Sequence, residues 1–126
     1  MSTAVYDAGV LIAAERNERW AWAEHRTRLE MGAVLLVPSN VVAQVSRSPK
    51  QAQLRRFLKG CEVASFDAQR AHRAGALLGK TGASDVVDAA VVELASSTHG
   101  EIVTTDAEDI ARLVAATGRQ LRIAAR

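Results

Sequence analysis

Glu101-Ile102-Val103-Thr104-Thr105-Asp106-Ala107-Glu108-Asp109-Ile110 is the stretch on which the fold turns. Glu101 to Thr104 is short, apolar in the middle and β-branched, which predicts a strand. Acids follow, and Glu108 to Thr117 reads as a helix that Gly118 ends. A strand handed directly to a helix, with carboxylates at the joint, is one unit of an α/β architecture.

The same alternation extends in both directions. Upstream, Asp85 to Thr98 is predicted to be a helix starting after Ser84, with Val87, Ala90, Val91 and Leu94 as its core stripe. Thr3 to Tyr6 reads as a first strand ending at Asp7. Helices are expected over Gly9 to Glu15 and Arg19 to Met31, the second stopped by Gly32. Val34 to Val37 is a buried strand ended by Pro38, and Ser39 is the expected N-cap of a helix from Asn40 to Ser46. After the break at Ser48-Pro49, Gln51 to Lys59 is helical, Glu62 to Phe66 is a strand, and Asp67 caps a helix from Ala68 to Leu78. Gly79 to Gly82 reads as a loop. Its Gly-Lys-Thr wording imitates a phosphate-binding loop, but Ala74 stands where the first glycine is needed. Leu121 to Ala124 is the last strand. Together these predict an α/β domain with a mainly parallel sheet of about four or five strands.

The chain has 126 residues, 48% of them apolar and 24% charged, which suits one domain over residues 1–126 and excludes a disordered or fibrous chain. One cysteine, Cys61, rules out an internal disulfide framework and fits a reducing compartment. Met1 to Asp7 lacks the pattern of a secretory leader, and the longest apolar run is too short to span a bilayer, so the expectation is a cytoplasmic protein with no membrane partner.

The formal net charge is only +2, but it is segregated. From Arg47 to Lys80 there are eight Lys or Arg against two acids; from Asp85 to Asp109 there are seven acids and no Lys or Arg. Opposed helix faces account for this, and so does a basic surface beside an acidic pocket, an arrangement suited to a polyanion at a metal site.

In a parallel sheet, ligands bind beyond the carboxyl ends of the strands. Asp7 and Asp106 follow predicted strands, Asp109 lies one turn after Asp106, and Asp85 and Asp88 share a helix face. Singly, most are ordinary turn or helix-start acids. Asp88 differs, because it sits among Val86, Val87, Ala89 and Ala90, where an unpaired carboxylate is costly. Converging carboxylates repel one another and call for a hard cation, Mg²⁺ or Mn²⁺. Two such cations roughly 3.5–4 Å apart can drive phosphodiester hydrolysis. His25, His72 and His99 are scattered, have no zinc spacing and read as surface residues.

Three segments together resemble the PIN-domain ribonucleases, specifically the VapC toxins: Val5 to Ala14, Asp88 to Ala95, and Val103 to Ile110; the Ala/Arg-rich composition and the wording of Ser84 to Ala89 look like the mycobacterial branch. The resemblance covers nearly the whole chain. It implies a PIN-like, Rossmann-like α/β/α sandwich and a Mg²⁺- or Mn²⁺-dependent endoribonuclease, the toxin of a type II toxin–antitoxin pair, that cuts RNA and blocks translation. It further implies a homodimer held inactive by a cognate antitoxin. Asp7, Asp88 and Asp106 are then expected to hold the first cation, with Asp85 assisting a second or orienting water and Asp109 in support. Thr104 and Thr105 map to the hydroxyl residues before the last aspartate.

One position departs from the family: Gln44 stands where many members carry a glutamate, and Asp85 is the expected replacement for the missing charge. The alternative is a catalytically weakened PIN-like module that binds RNA or antitoxin without cutting. A different metal phosphohydrolase is a further rival; a response-regulator receiver fits worse, since Ala8 and Gly9 follow Asp7. Arg47, Lys50, Arg55 and Arg56 are the candidate RNA-backbone contacts. With only 4% aromatic residues, a base-stacking platform is not expected. Trp20 and Trp22 cannot both face one core stripe, so a second protomer or an antitoxin helix is expected to cover one of them, unless loops half-bury both.

Overall fold

The computed structural model describes residues 2–126. Five strands form one parallel sheet: β1 (Thr3–Tyr6), β2 (Val34–Pro38), β3 (Glu62–Ala64), β4 (Glu101–Thr104) and β5 (Ile123–Ala125), in the order β3-β2-β1-β4-β5. β1 is central, with Ala4 opposite Leu35 of β2 and Glu101 of β4. Between and after the strands lie α1 (Ala8–Glu15), α2 (Arg19–Glu30), α3 (Ser39–Val45), α4 (Ala52–Leu58), α5 (Ala68–Thr81), α6 (Val86–Thr98) and α7 (Ala107–Thr117). The chain winds outward through β2 and β3, then returns to lay β4 on the other side of β1. That reversal opens a crevice at the carboxyl ends of β1 and β4.

α6 packs on β1, β2 and β4 and is flanked by α5 and α7. Every residue from Asp88 to Ala95 is therefore buried, not only the stripe that a half-exposed helix would show. Two acids lie among them, Asp88 and Glu93, and Arg70 and Arg73 of α5 both bind Glu93, at 3.0 and 2.9 Å. Two cations of the basic stretch are thus engaged in joining helices.

Several local expectations are corrected. Ser39 does not cap α3, which it opens; its hydroxyl accepts the Phe66 N–H at 2.9 Å. That bond takes Phe66 away from the sheet, and β3 stops at Ala64 rather than Phe66. The expected loop from Gly79 is still helix up to Thr81, and Gly82, at φ +72°, makes the turn that ends it. β5 runs from Ile123 rather than Leu121, because the Arg122 carbonyl only begins the ladder, accepting from Ile102 N–H at 2.9 Å.

His25 is not a surface residue. It is buried, 3.1 Å from the Tyr6 hydroxyl through Nδ1, and stacks on Phe57 at a centroid distance of 3.9 Å. Burial lowers its pKa. Both tryptophans are half-buried and pack against the core. Trp22 donates its indole N–H to the Ala14 carbonyl at 3.1 Å and carries the Arg56 guanidinium over its ring. Among the described residues, no helix is long and apolar enough to cross a membrane.

Candidate metal centre

Asp7 stands at the end of β1, and its carboxylate is the joint between three segments. Oδ1 accepts Val10 N–H at 3.0 Å and so caps α1. Oδ2 accepts Thr105 N–H at 3.1 Å and a close bond from the Thr104 hydroxyl. The Thr104 hydroxyl in turn accepts Asp106 N–H at 2.8 Å. Thr104 is fully buried, and this relay ties the exit of β1 to the exit of β4. Burial raises the Asp7 pKa, and the donors around it act in the opposite direction.

Gly9 is where this joint admits no side chain. A Cβ there would collide with the Thr105 hydroxyl and lie 3.0 Å from Thr105 Cβ. Alanine ordinarily favours a helix over glycine by about 1 kcal/mol. Gly9→Ala is nevertheless expected to destabilise the protein by about 1–2 kcal/mol through overpacking. A urea midpoint equal to or above that of the wild type would show that Thr105 yields freely.

Beyond the joint, Asp88, Asp106 and Asp109 each bring a carboxylate oxygen within 4.8 Å of the others. Asp88 is buried on the first turn of α6, whereas Asp106 and Asp109 are exposed at the start of α7. Asp85 caps α6, accepting Asp88 N–H at 3.0 Å, and lines one cavity of about 220 Å³ with Asp88 and Asp109. Burial first, and then the charges of Asp85, Asp106, Asp7 and Asp109, push the Asp88 carboxyl up to about 7. Asp106 is also raised, by desolvation and then by Asp109. This is a set of like charges held together, in which Asp109 is paired with the Arg112 guanidinium at 2.6 Å.

The donor set fits the metal that the sequence suggests. It is all oxygen and all carboxylate, which suits hard Mg²⁺ or Mn²⁺, not a thiolate- or imidazole-bound ion. The balance among the acids differs from expectation. Asp109, expected in support, belongs to the tightest cluster. Asp7 lies behind it with both oxygens engaged, and Asp85 is committed through one oxygen to the cap.

Other candidates lie outside the cluster. Gln44 is exposed on α3. The Arg47 guanidinium donates to the Ala43 and Ser46 carbonyls at 3.2 and 2.8 Å, and Arg55 donates to the Pro49 carbonyl. Arg56 binds Gln53 at 2.9 Å, and Lys50 is exposed. Arg112 was not among the sequence candidates, yet it lines the acidic cavity. Its position one turn after Asp109 was the available signal.

Fold and site together define an α/β domain with a cluster of carboxylates at the switch point of its sheet. The chain belongs to the PIN domain family, whose model matches residues 4–115. Among solved structures, it is similar to VapBC2 from Rickettsia felis bound to a DNA fragment from their promoter. That match has 18% identity, a TM-score of 0.68 and 96% coverage of each chain. It is also similar to a toxin–antitoxin complex from Klebsiella pneumoniae at 19% identity and a TM-score of 0.67, covering 86% of this chain and 90% of that one. No curated protein matches the sequence.

Proposed function

We propose that this protein is a metal-dependent endoribonuclease of the VapC type, the toxin of a type II toxin–antitoxin pair, acting in the cytoplasm to block translation. The observation that carries the reading is the convergence of Asp88, Asp106 and Asp109, with Asp88 raised to about 7 by burial and like charge. A site of this kind is expensive to maintain unless a cation occupies it. Membership of the PIN family and the likeness to toxin–antitoxin assemblies support the same reading.

Asp88, Asp106 and Asp109 would hold Mg²⁺ or Mn²⁺, with Asp7 adding charge from behind and Asp85 at the rim. Once bound, the cation supplies Lewis acidity and activates water towards a phosphodiester. The chain's own contribution is rigidity. Thr104 and Thr105 hold Asp7, Thr104 fixes the backbone at Asp106, and the α6 cap orients the first turn that carries Asp88. Lys50 and Arg56, with Arg47 and Arg55 beside them, offer positive charge for the RNA backbone.

For the antitoxin, the outer face of α2 offers a half-buried Trp22 and an exposed Leu29 next to Arg26. That chemistry fits an acidic helix with apolar anchors. The protein is taken to work as a homodimer.

The test is cleavage of a total-RNA pool by purified, antitoxin-free protein with Mn²⁺, with Mg²⁺ and with EDTA, beside Asp88→Ala. Discrete fragments that need both metal and Asp88 are expected. Cleavage that persists in folded Asp88→Ala sinks the site assignment. No cleavage under any condition favours the binding module, for which Gln44 is the specific observation, and Gln44→Glu would then be the variant to restore activity.

A further inference from the structure

Arg112 stands on α7 one turn beyond Asp109, with Nη2 2.6 Å from Asp109 Oδ1. Both residues line the acidic cavity with Ser84, Asp85, Asp88 and Leu113. Arg112 is the one cation among the described residues lining that cavity, and the chain has no other Lys or Arg between Lys80 and Arg119. An exposed i,i+3 ion pair is ordinarily worth a few tenths of a kcal/mol. That accounts for the bond, but not for a lone guanidinium at the mouth of a carboxylate cluster.

We propose that Arg112 is the substrate-positioning residue of this pocket, held at its mouth by Asp109 to receive a non-bridging oxygen of an RNA phosphate. The proposal rests on the nuclease reading above and names the residue through which that site takes its substrate. Three physical points support it. A phosphodiester approaching Asp85, Asp88, Asp106 and Asp109 is repelled unless positive charge meets it. A guanidinium has five N–H donors, of which Asp109 occupies one here, and the Arg112 side chain is 69% exposed, so its other donors are available. Meanwhile Arg47 and Arg55 spend guanidinium donors on their own backbone.

The test uses the purified full chain and a labelled single-stranded RNA oligonucleotide, read as binding by anisotropy in EDTA and as cleavage kinetics with Mn²⁺. Arg112→Ala is expected to weaken binding about tenfold and raise KM by a similar factor, with kcat within about twofold. Arg112→Lys keeps the charge but not the fork, and should recover part of the affinity. The slope of log Kd against log salt should fall by about 0.7, the value of one single-strand phosphate contact. Arg122→Ala removes the same charge just before β5, at the amino end of the strands rather than the carboxyl end where the site lies, and should change neither readout.

Wild-type affinity and KM in Arg112→Ala overturn the proposal. So does an equal loss in Arg122→Ala, which assigns the effect to net charge, and so does a loss confined to kcat. These failures leave an active wild type standing. A wild type that neither binds nor cleaves RNA brings down the nuclease reading itself, and this proposal with it.

Discussion

Asp88→Asn is expected to lose metal-dependent cleavage by about a thousandfold or more, the rate equivalent of several kcal/mol of Lewis-acid stabilisation, and at the same time to melt higher than the wild type. The two effects share a cause. In the folded protein the Asp88 carboxyl titrates near 7 rather than at its ordinary 3.8, first because it is buried and then because Asp85, Asp106, Asp7 and Asp109 oppose its charge. Between those two values the folded state holds a proton that the unfolded chain has released. Stability therefore falls as pH rises through this window, and the loss is complete above it. Allowing for solvent screening at the mouth of the site, the penalty is roughly 2 kcal/mol. An uncharged amide escapes it.

In EDTA near pH 8, Asp88→Asn should therefore melt about 8 °C above the wild type, with the difference closing towards about pH 4. Adding Mn²⁺ at about a hundred times its dissociation constant should stabilise the wild type by about 2.7 kcal/mol and the variant far less. Equal melting temperatures at both pH values would show that the carboxylate is not under strain, and would remove the main observation for a cation site.

Asp7→Ala is expected to do the opposite and damage the scaffold. Its carboxylate accepts from Val10 N–H, Thr105 N–H and the Thr104 hydroxyl, and only 2% of the residue is exposed. Alanine removes the cap of α1 and leaves buried donors without an acceptor. Each such loss costs about 1 kcal/mol or more, offset in part by relief of the burial that raises the Asp7 pKa. The net loss should be about 3 kcal/mol, a large share of the 5–15 kcal/mol that holds a typical domain together. In urea it should appear as a midpoint about 2 M lower. Asp7→Asn, which keeps one acceptor oxygen, should fall between. An unchanged midpoint for Asp7→Ala would mean that the joint between β1 and β4 is held by packing alone. The contrast matters for interpretation, because an inactive Asp7→Ala does not separate ligand from scaffold, whereas an inactive and more stable Asp88→Asn does.

Much of this protein is local enough to be legible in one dimension. The order of strands and helices follows from short β-branched runs, helical spacing and stops such as Gly118, and all five strands fall where those signals put them, within a few residues at the ends. Asp88 stands out because its neighbours are apolar, and Asp7 and Asp106 because they follow strands. The PIN family was legible from the same three segments.

What the tertiary structure decided is which of these groups meet. Ser39 reads as a cap, but a hydroxyl takes the donor that folding brings to it, and Phe66 N–H comes from the far end of β3. His25 reads as a surface residue, and Tyr6 and Phe57 bury it. Asp7 and Asp106 lie at opposite ends of the chain and become neighbours only because β4 pairs with β1. The clustering of Asp109 with Asp88, and the placing of Arg112 at the mouth, depend on how α7 packs on α6. Propensity and capping act over a few residues and can be read along the chain. The energy of a buried charge depends on every group within a Debye length in space, and only the folded arrangement of strands sets those distances.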